Sequence, residues 1–416
     1  GGLLVIRSDA VQGSPLRSVL QFWAPLVLLG ACLYWGLHVL FARLPADLVE
    51  GSNDLAIYRQ TGEALLRGEI PYRDFFLEYP PASLPAFVPP ALISDSRTAY
   101  INLFASEMAL VLVATLVLTC LTAHRIRGIW GWPVPGLTFA ASALLLYPVA
   151  VSRYDAVVAL TLAVAALCAT LGGRYLLLAY ASLGFGAAAK LVPALATLPL
   201  AFLRRRVVRG YAVFFATLAI FLGSAVILGR GRFLQSLAYH ADRGLQVESL
   251  AASVLMVLGR VEGIAFEYGA FEVRGSGVDL AVALSLPVTG VVLALTVLAM
   301  YRGHRAGELR GDAFPRYAAA LILAFMLGSK VLSPQYMIWL LPLVPLSFGG
   351  RTGAGISVVF LAVCLATTLI FPTHYADLLN ARYPGPELLL GRNLLLVFLW
   401  GLLLLAPAKV PEKSAS

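Results

Sequence analysis

Apolar runs of roughly 16 to 24 residues recur along the whole chain, each near the length needed to cross a hydrocarbon core of about 30 Å. About twelve can be counted, over 19–41, 98–121, 133–150, 156–172, 175–189, 190–203, 211–228, 278–300, 317–330, 335–348, 354–371 and 388–407. A chain so patterned is expected to be an all-α polytopic membrane protein, a single integral-membrane unit over 1–416. The mean hydropathy of +0.83 agrees, and a charged share of 13% lies far below the quarter or so of an ordinary soluble domain. The first run is longer than a signal peptide's apolar stretch and has no small-residue cleavage site after it, so it is read as a spanning helix. Cys32, Cys120, Cys168 and Cys364 all fall inside apolar segments without CxxC spacing, so they read as small core residues rather than disulfides or metal ligands.

The net charge of +9 does not point to nucleic acid, because the arginines punctuate the apolar runs on alternate sides instead of gathering on one face. With a cytoplasmic N-terminus, the connections 122–132, 173–174, 204–210, 301–316 and 349–353 hold twelve arginines against only Glu308 and Asp312. Residues 45–96, on the opposite side, hold eight acids against Arg59, Arg67 and Arg73. This asymmetry obeys the positive-inside rule and puts both termini in the cytoplasm. It also collects the unusual polar residues at the outer face. They lie in the first long outer loop (42–97), at Arg153-Tyr154-Asp155, at Lys190, in the second long outer loop (229–277) with Arg243, at Ser333 to Tyr336, and around His374. Ionisable groups at membrane depth are costly, so function is the default reading for them. Ser249 to Leu258 and Leu84 to Ile93 are too short to span and are read as interfacial helices.

The first outer loop is the densest of these segments, with seven carboxylates from Asp47 to Glu78. Ser52 or Asn53 can cap a helix starting near Asp54, and Gly68 followed by Pro71 stops it. Asp54 and Tyr58, four residues apart, share a face of that helix. The reading of Asp54 as no more than a first-turn charge stands beside the functional one. The aromatics of Tyr72-Arg73-Asp74-Phe75-Phe76 and Glu78-Tyr79-Pro80-Pro81 sit beside charges, which suits a sugar, whose ring faces stack and whose hydroxyls donate. An interfacial aromatic belt is the plainer alternative.

These residues resemble the integral-membrane GT-C glycosyltransferases, particularly the glycosyltransferase family 87 type that uses polyprenyl-phosphate mannose. The similarity is carried by Asn53-Asp54, Tyr58, Gly68, Tyr72 and the Glu78-Tyr79-Pro80-Pro81 corner. It continues through Arg153-Tyr154-Asp155, Ala189-Lys190-Leu191-Val192-Pro193, and Ser333-Pro334-Gln335-Tyr336 ahead of Trp339 and Pro342. The resemblance implies a GT-C-like architecture of about twelve transmembrane helices. It also implies transfer of a sugar, mannose in that family, from a polyprenyl-phosphate donor to a lipid or glycan acceptor at the outer face of the cytoplasmic membrane, as in glycolipid and cell-envelope biosynthesis. Asp54 then matches the catalytic base. Lys190, Arg153 and Arg243 are the candidates for the donor phosphate, although Arg153 could simply pair with Asp155 and Lys190 could snorkel. Asn53, Tyr58, Tyr72, Glu78, Tyr79, Asp155, Gln335, Tyr336 and His374 are candidates for sugar or acceptor. Gln335 and Tyr336 stand where several family members have a His, and His374 or His240 could take that part. No cofactor is expected, and the lack of Asp-x-Asp in the first loop argues against a required metal without excluding one.

Two other classes fit part of the pattern. A transporter or flippase of lipid-linked sugars also suits twelve spans, but no repeat relates the two halves, and the charges lie at one face rather than at the midplane. An O-antigen-type polymerase or ligase would rely on outer-loop arginines such as Arg230, Arg232 and Arg243.

Overall fold

Where the sequence runs apolar, the chain is helical. The computed structural model describes residues 15–45, 53–203, 206–241 and 243–406. Among these, six helices are long and apolar enough to cross a membrane: Leu20–Phe41, Arg97–Arg127, Val207–Leu228, Val278–Arg305, Gly350–Thr373 and Gly385–Leu405. The 31-residue Arg97–Arg127 helix is about 46 Å long at 1.5 Å per residue, so it projects beyond the hydrocarbon core. Shorter helices, Pro133–Leu145, Asp155–Leu171, Tyr175–Ala189 and Phe314–Gly328, pack between them. The last is buried on nearly every side, which explains why its sequence is apolar all round.

Three of the expected spans are not continuous α-helices. The stretch 133–150 breaks at Leu146, just before Pro148. Residues 190–203 form a 3₁₀ turn, Val192–Ala196, followed by the short helix Thr197–Phe202. Residues 335–348 form two 3₁₀ pieces, Pro334–Leu340 and Val344–Leu346. Prolines cause these breaks, because each lacks an N–H and clashes with the preceding turn. Irregular backbone survives at such depth only where protein covers it. Met337, Ile338, Trp339, Leu340, Leu341 and Leu343 are accordingly all fully buried.

The connections 42–96 and 229–277 separate spanning helices and carry most of the non-spanning structure. In the first, the Asn53–Leu66 helix stops before Gly68, whose φ of 83° only glycine adopts freely. A 3₁₀ turn, Pro81–Ala86, and the helix Val88–Ile93 come next. Ser52, Asp47 and Glu50 lie outside the described residues. In the second, Ser249 caps the helix Leu250–Val257 by accepting from the Ala252 N–H, close to the expected interfacial helix. The adjoining strands were not expected from the sequence. Val261–Glu267 and Ala270–Gly275 pair as an antiparallel hairpin turned at Tyr268 and Gly269, both with positive φ, as a type I′ turn requires. The segment 245–247 bridges to its edge at Gln246 and Glu272, Val247 N donating to Phe271 O and Val273 N to Leu245 O.

Helix crossings inside the bundle depend on small residues. A Cβ on Gly328 would lie 2.4 Å from Thr289 Cα on the neighbouring Val278–Arg305 helix. Gly328→Ala is therefore expected to destabilise by about 1–3 kcal/mol, the usual cost of overpacking. Gly290→Ala, on the same neighbouring helix with nothing within 4 Å of its added Cβ, should be neutral or slightly stabilising. Thermal unfolding of the purified variants checks the contrast, and equal melting temperatures would refute the tight crossing.

Candidate active site

The first helical turn after Asn53 presents Asp54 at the end of the bundle that carries both long connections. Its two carboxylate oxygens have different partners. Oδ2 faces Arg153 Nη2 at 2.8 Å, and Oδ1 accepts a short hydrogen bond from the Tyr79 hydroxyl. Arg153 sits just ahead of the Asp155–Leu171 helix, so the pair ties the first long connection to the bundle. Arg153 therefore turns to Asp54 and not to Asp155, the pairing that its sequence proximity suggested. Asp54 is also the more open of the two, with 31% of its side chain exposed against 16% for Arg153.

Asp155 is nearly fully buried and takes a different cation. Its Oδ1 accepts from Lys190 Nζ at 2.7 Å and from Trp339 Nε1 at 2.7 Å. The Lys190 ammonium lies 5.2 to 5.4 Å from the ring centres of Tyr154, Tyr336 and Trp339, within cation–π range of each. Lys190 is thus held in an aromatic box, not simply snorkelling. The 3₁₀ turn explains the box. With three residues per turn, Tyr336 and Trp339 eclipse one another, and their rings stack at 4.1 Å. Trp339 was not singled out as a site residue by the sequence, although the Pro334 that forces the 3₁₀ turn was the available signal.

A third pair joins the two long connections. Arg243 Nη2 lies 3.5 Å from Glu78 Oε2, and the Arg243 guanidinium stands over the Tyr239 ring. Burial and the nearby Asp54 charge push the Glu78 carboxyl above its usual range, against the pull of Arg243. Gln246 Nε2 donates to Ser333 Oγ at 3.0 Å, and Lys330 Nζ donates to the Arg243 carbonyl, so the second connection is also tied to the 329–336 segment.

The remaining candidates hold distinct places. Tyr58 is buried, stacked on Phe87 at 4.3 Å and edge-on to Tyr79 and Tyr154. Tyr72, with φ of 65°, is also buried and donates to the Tyr79 carbonyl at 2.6 Å. It braces the Tyr79-Pro80 corner and does not line its open side. Gln335 is half-buried in the 3₁₀ turn. His374 pairs with its own Asp377 at 2.8 Å and has no described contact with the ion-pair cluster, whereas its neighbour Tyr375 is half-buried and within the electrostatic reach of Glu248 and Arg153. The side chains of Asn53 and His240 lie outside what the structure describes. Among the described residues, no three His, Cys, Asp or Glu side chains gather as a metal-binding group.

The family model for Glycosyltransferase family 87 matches residues 76–334, more than half of the chain. The chain belongs to that family. The matched stretch contains Glu78, Tyr79, Arg153, Asp155, Lys190 and Arg243; Asp54 lies ahead of it and meets it through Tyr79 and Arg153. Among solved structures, the chain is similar to ArnT from Cupriavidus metallidurans bound to undecaprenyl phosphate, at 12% identity and a TM-score of 0.49, over 94% of this chain and 77% of that one. It is also similar to the archaeal oligosaccharyltransferase AglB from Archaeoglobus fulgidus in complex with an inhibitory peptide and a dolichol-phosphate. There the identity is 13% and the TM-score 0.48, over 91% of this chain and 56% of that one. No curated protein matches the chain.

Behind the cluster, Glu248 is buried with Arg392 Nη2 3.6 Å from its Oε2, and burial lifts its carboxyl to about 7. An acid whose value is raised on folding holds its proton longer in the folded state, so stability falls as pH rises from its ordinary value near 4.5 through about 7. The lost stability is on the order of 3 kcal/mol for a shift of this size. Glu248→Gln is expected to flatten that slope relative to the unmodified protein, as measured by thermal unfolding from pH 4.5 to 8. An identical slope in the two proteins would remove Glu248 as its source.

Proposed function

We propose that this family 87 protein moves a mannosyl residue from a polyprenyl-phosphate donor to an acceptor hydroxyl, with inversion, at the outer face of the cytoplasmic membrane. The observation that carries the reading is the position of Asp54, where an open carboxylate meets a half-buried cation and a network of aromatic rings. A carboxylate has about four acceptor sites, of which Arg153 and Tyr79 use two, leaving room for a substrate hydroxyl. Asp54 takes the acceptor proton as the oxygen attacks the anomeric carbon, and the bond from that carbon to the phosphate oxygen breaks on the opposite face. The electron pair leaves with the phosphate, which Lys190, Arg153 and Arg243 neutralise.

Each of these cations already has a carboxylate partner. That arrangement favours a phosphate arriving as a competing anion, since a half-buried cation without a countercharge would be costly in the empty enzyme. The ring faces of Tyr336 and Tyr154 beside Lys190 suit a sugar stacked next to its phosphate. The arginine-rich connections opposite the Asp54 end support an outward-facing site with cytoplasmic termini.

Asp54→Asn should lower transfer from polyprenyl-phosphate mannose about a hundredfold or more while donor binding is retained, because the amide keeps the shape but cannot take the proton. Lys190→Ala should instead weaken donor binding. Transfer assays with radiolabelled polyprenyl-phosphate sugars separate the two effects, and near-normal turnover by the Asp54→Asn enzyme would sink the assignment.

Sidedness has its own test. On a background without the four cysteines, single cysteines at Gly51, Gln246 and Asp377 should react with an impermeant maleimide added outside. Those at Gly128, Gly210 and Gly307 should be protected until the membrane is opened. Labelling of Gly51 and Gly128 positions from one side would overturn the topology.

A further inference from the structure

Asp155 takes two donors on one carboxylate oxygen and none on the other. Lys190 Nζ and Trp339 Nε1 both reach Oδ1 at 2.7 Å, while Oδ2 is buried and has no hydrogen-bond partner among the described residues. The Asp155 side chain is 1% exposed, and Lys190, at 21%, is the member of the pair that reaches the open side. A buried carboxylate that lost its only cation would be left at a high desolvation cost. Two features hold Asp155 in place without Lys190. It is the first residue of the Asp155–Leu171 helix, where the partial positive charge of the helix N-terminus favours an anion. Trp339 is fully buried on a 3₁₀ turn, so its indole N–H, a donor only, is fixed in position.

Lys190 is built the other way. Its backbone is tied down, since its own N–H donates to the Gly186 carbonyl and the Ala189 carbonyl just before it accepts from the Tyr154 hydroxyl at 3.1 Å. Movement is left to the flexible four-carbon side chain. The rings of Tyr154, Tyr336 and Trp339 stand 5.2 to 5.4 Å from the ammonium, so its charge stays sheltered over a range of positions. Leu191, the next residue, is 63% exposed and borders an apolar cleft of about 420 Å³. An anion carried on a lipid chain can therefore meet the ammonium while its chain remains among apolar groups.

We propose that Trp339 is a positioning residue for the donor phosphate: its indole N–H anchors the Asp155 carboxylate so that the Lys190 ammonium can pass from Asp155 to the phosphate and back. That the phosphate belongs to a lipid-linked sugar donor rests on the transferase reading above; the exchange of partners rests on the shared Asp155 oxygen. Asp155 is then a competitor for Lys190, holding the cation while the site is empty and recovering it when the phosphate leaves. Without the indole N–H, Asp155 depends more on Lys190, and a phosphate captures the cation less readily. Trp339 acts through Asp155 and not on the phosphate itself.

The exchange is tested on the purified full-length protein labelled with 5-fluorotryptophan, whose six tryptophans should each give a fluorine resonance. Loss of one line in Trp339→Phe assigns Trp339, and the others, unmoved, show that the variant folds. Undecaprenyl phosphate should shift the Trp339 line, and uncharged undecaprenol should not. Retention of undecaprenyl phosphate, measured by native mass spectrometry, should fall about tenfold in Trp339→Phe, the effect of losing one hydrogen bond to a charged group. Asp155→Asn should retain it at least as well as the unmodified protein, because the competing charge is gone. Adding Trp339→Phe to Asp155→Asn should bring no further loss. An equal loss in both backgrounds would show a packing role and overturn the proposal. Tight retention of undecaprenyl phosphate with an unmoved Trp339 line would also overturn it, and the donor reading would survive. A Trp339 shift with inorganic phosphate but none with undecaprenyl phosphate would instead remove the lipid donor and leave the exchange at Lys190 standing.

Discussion

An ion buried among apolar helices must meet its countercharge, and the end of this bundle is organised around that requirement. Four pairs meet it: Asp54 with Arg153, Asp155 with Lys190, Glu78 with Arg243, and Glu248 with Arg392. Each joins segments distant in sequence. Together they fasten both long connections, the Lys190 turn and the last spanning helix around one polar cluster. The backbone adds to the same end: Asn393 Nδ2 donates to the Glu248 and Ser249 carbonyls, and Arg392 Nη2 to the Glu248 carbonyl. The segment that carries Arg243 and Gln246 is thus clamped between the hairpin, the Lys330 segment and the Gly385–Leu405 helix.

Paired charges would also give the proposed donor site a way to respond to substrate. A phosphate entering beside Lys190, as proposed above, would exchange one anionic partner for another at little desolvation cost, since the ammonium is already sheltered by three rings. The proline-broken segments make this shelter possible. A continuous α-helix over 335–348 would leave Tyr336 and Trp339 about 60° apart around its axis, whereas the 3₁₀ turn brings them face to face. The irregular stretches that break the expected spans are therefore the ones that build the box around Lys190.

Sequence and tertiary structure divided the work along physical lines. Segment type was legible locally: the apolar runs became helices because backbone groups must bond within each run, and Gly68, Pro71 and Ser249 stop or cap helices through their own dihedrals and hydroxyls. The likeness carried by Asp54, the Glu78-Tyr79 corner, Arg153 and Lys190 anticipated the family, because those residue types recur in order along the chain. The hairpin was missed because its turn is Tyr268-Gly269, without the Asn-Gly or Asp-Gly that signals such turns, and its strands are short.

Partner choice was not legible. Sequence proximity offered Arg153 to Asp155, two residues away, but the chain path turns Arg153 toward Asp54 and leaves Asp155 for Lys190 and Trp339. A charge carries no record of which countercharge it will meet, since Coulomb attraction depends on distance and dielectric, and both are set by packing. The sequence by itself determined that this chain is a helical membrane protein with acids and cations concentrated in two connections and a few turns. Only the tertiary structure decided which acid faces which cation, which rings shelter Lys190, and that Lys190 and Trp339 share one oxygen of Asp155, because each depends on segments far apart in the chain arriving at the same place.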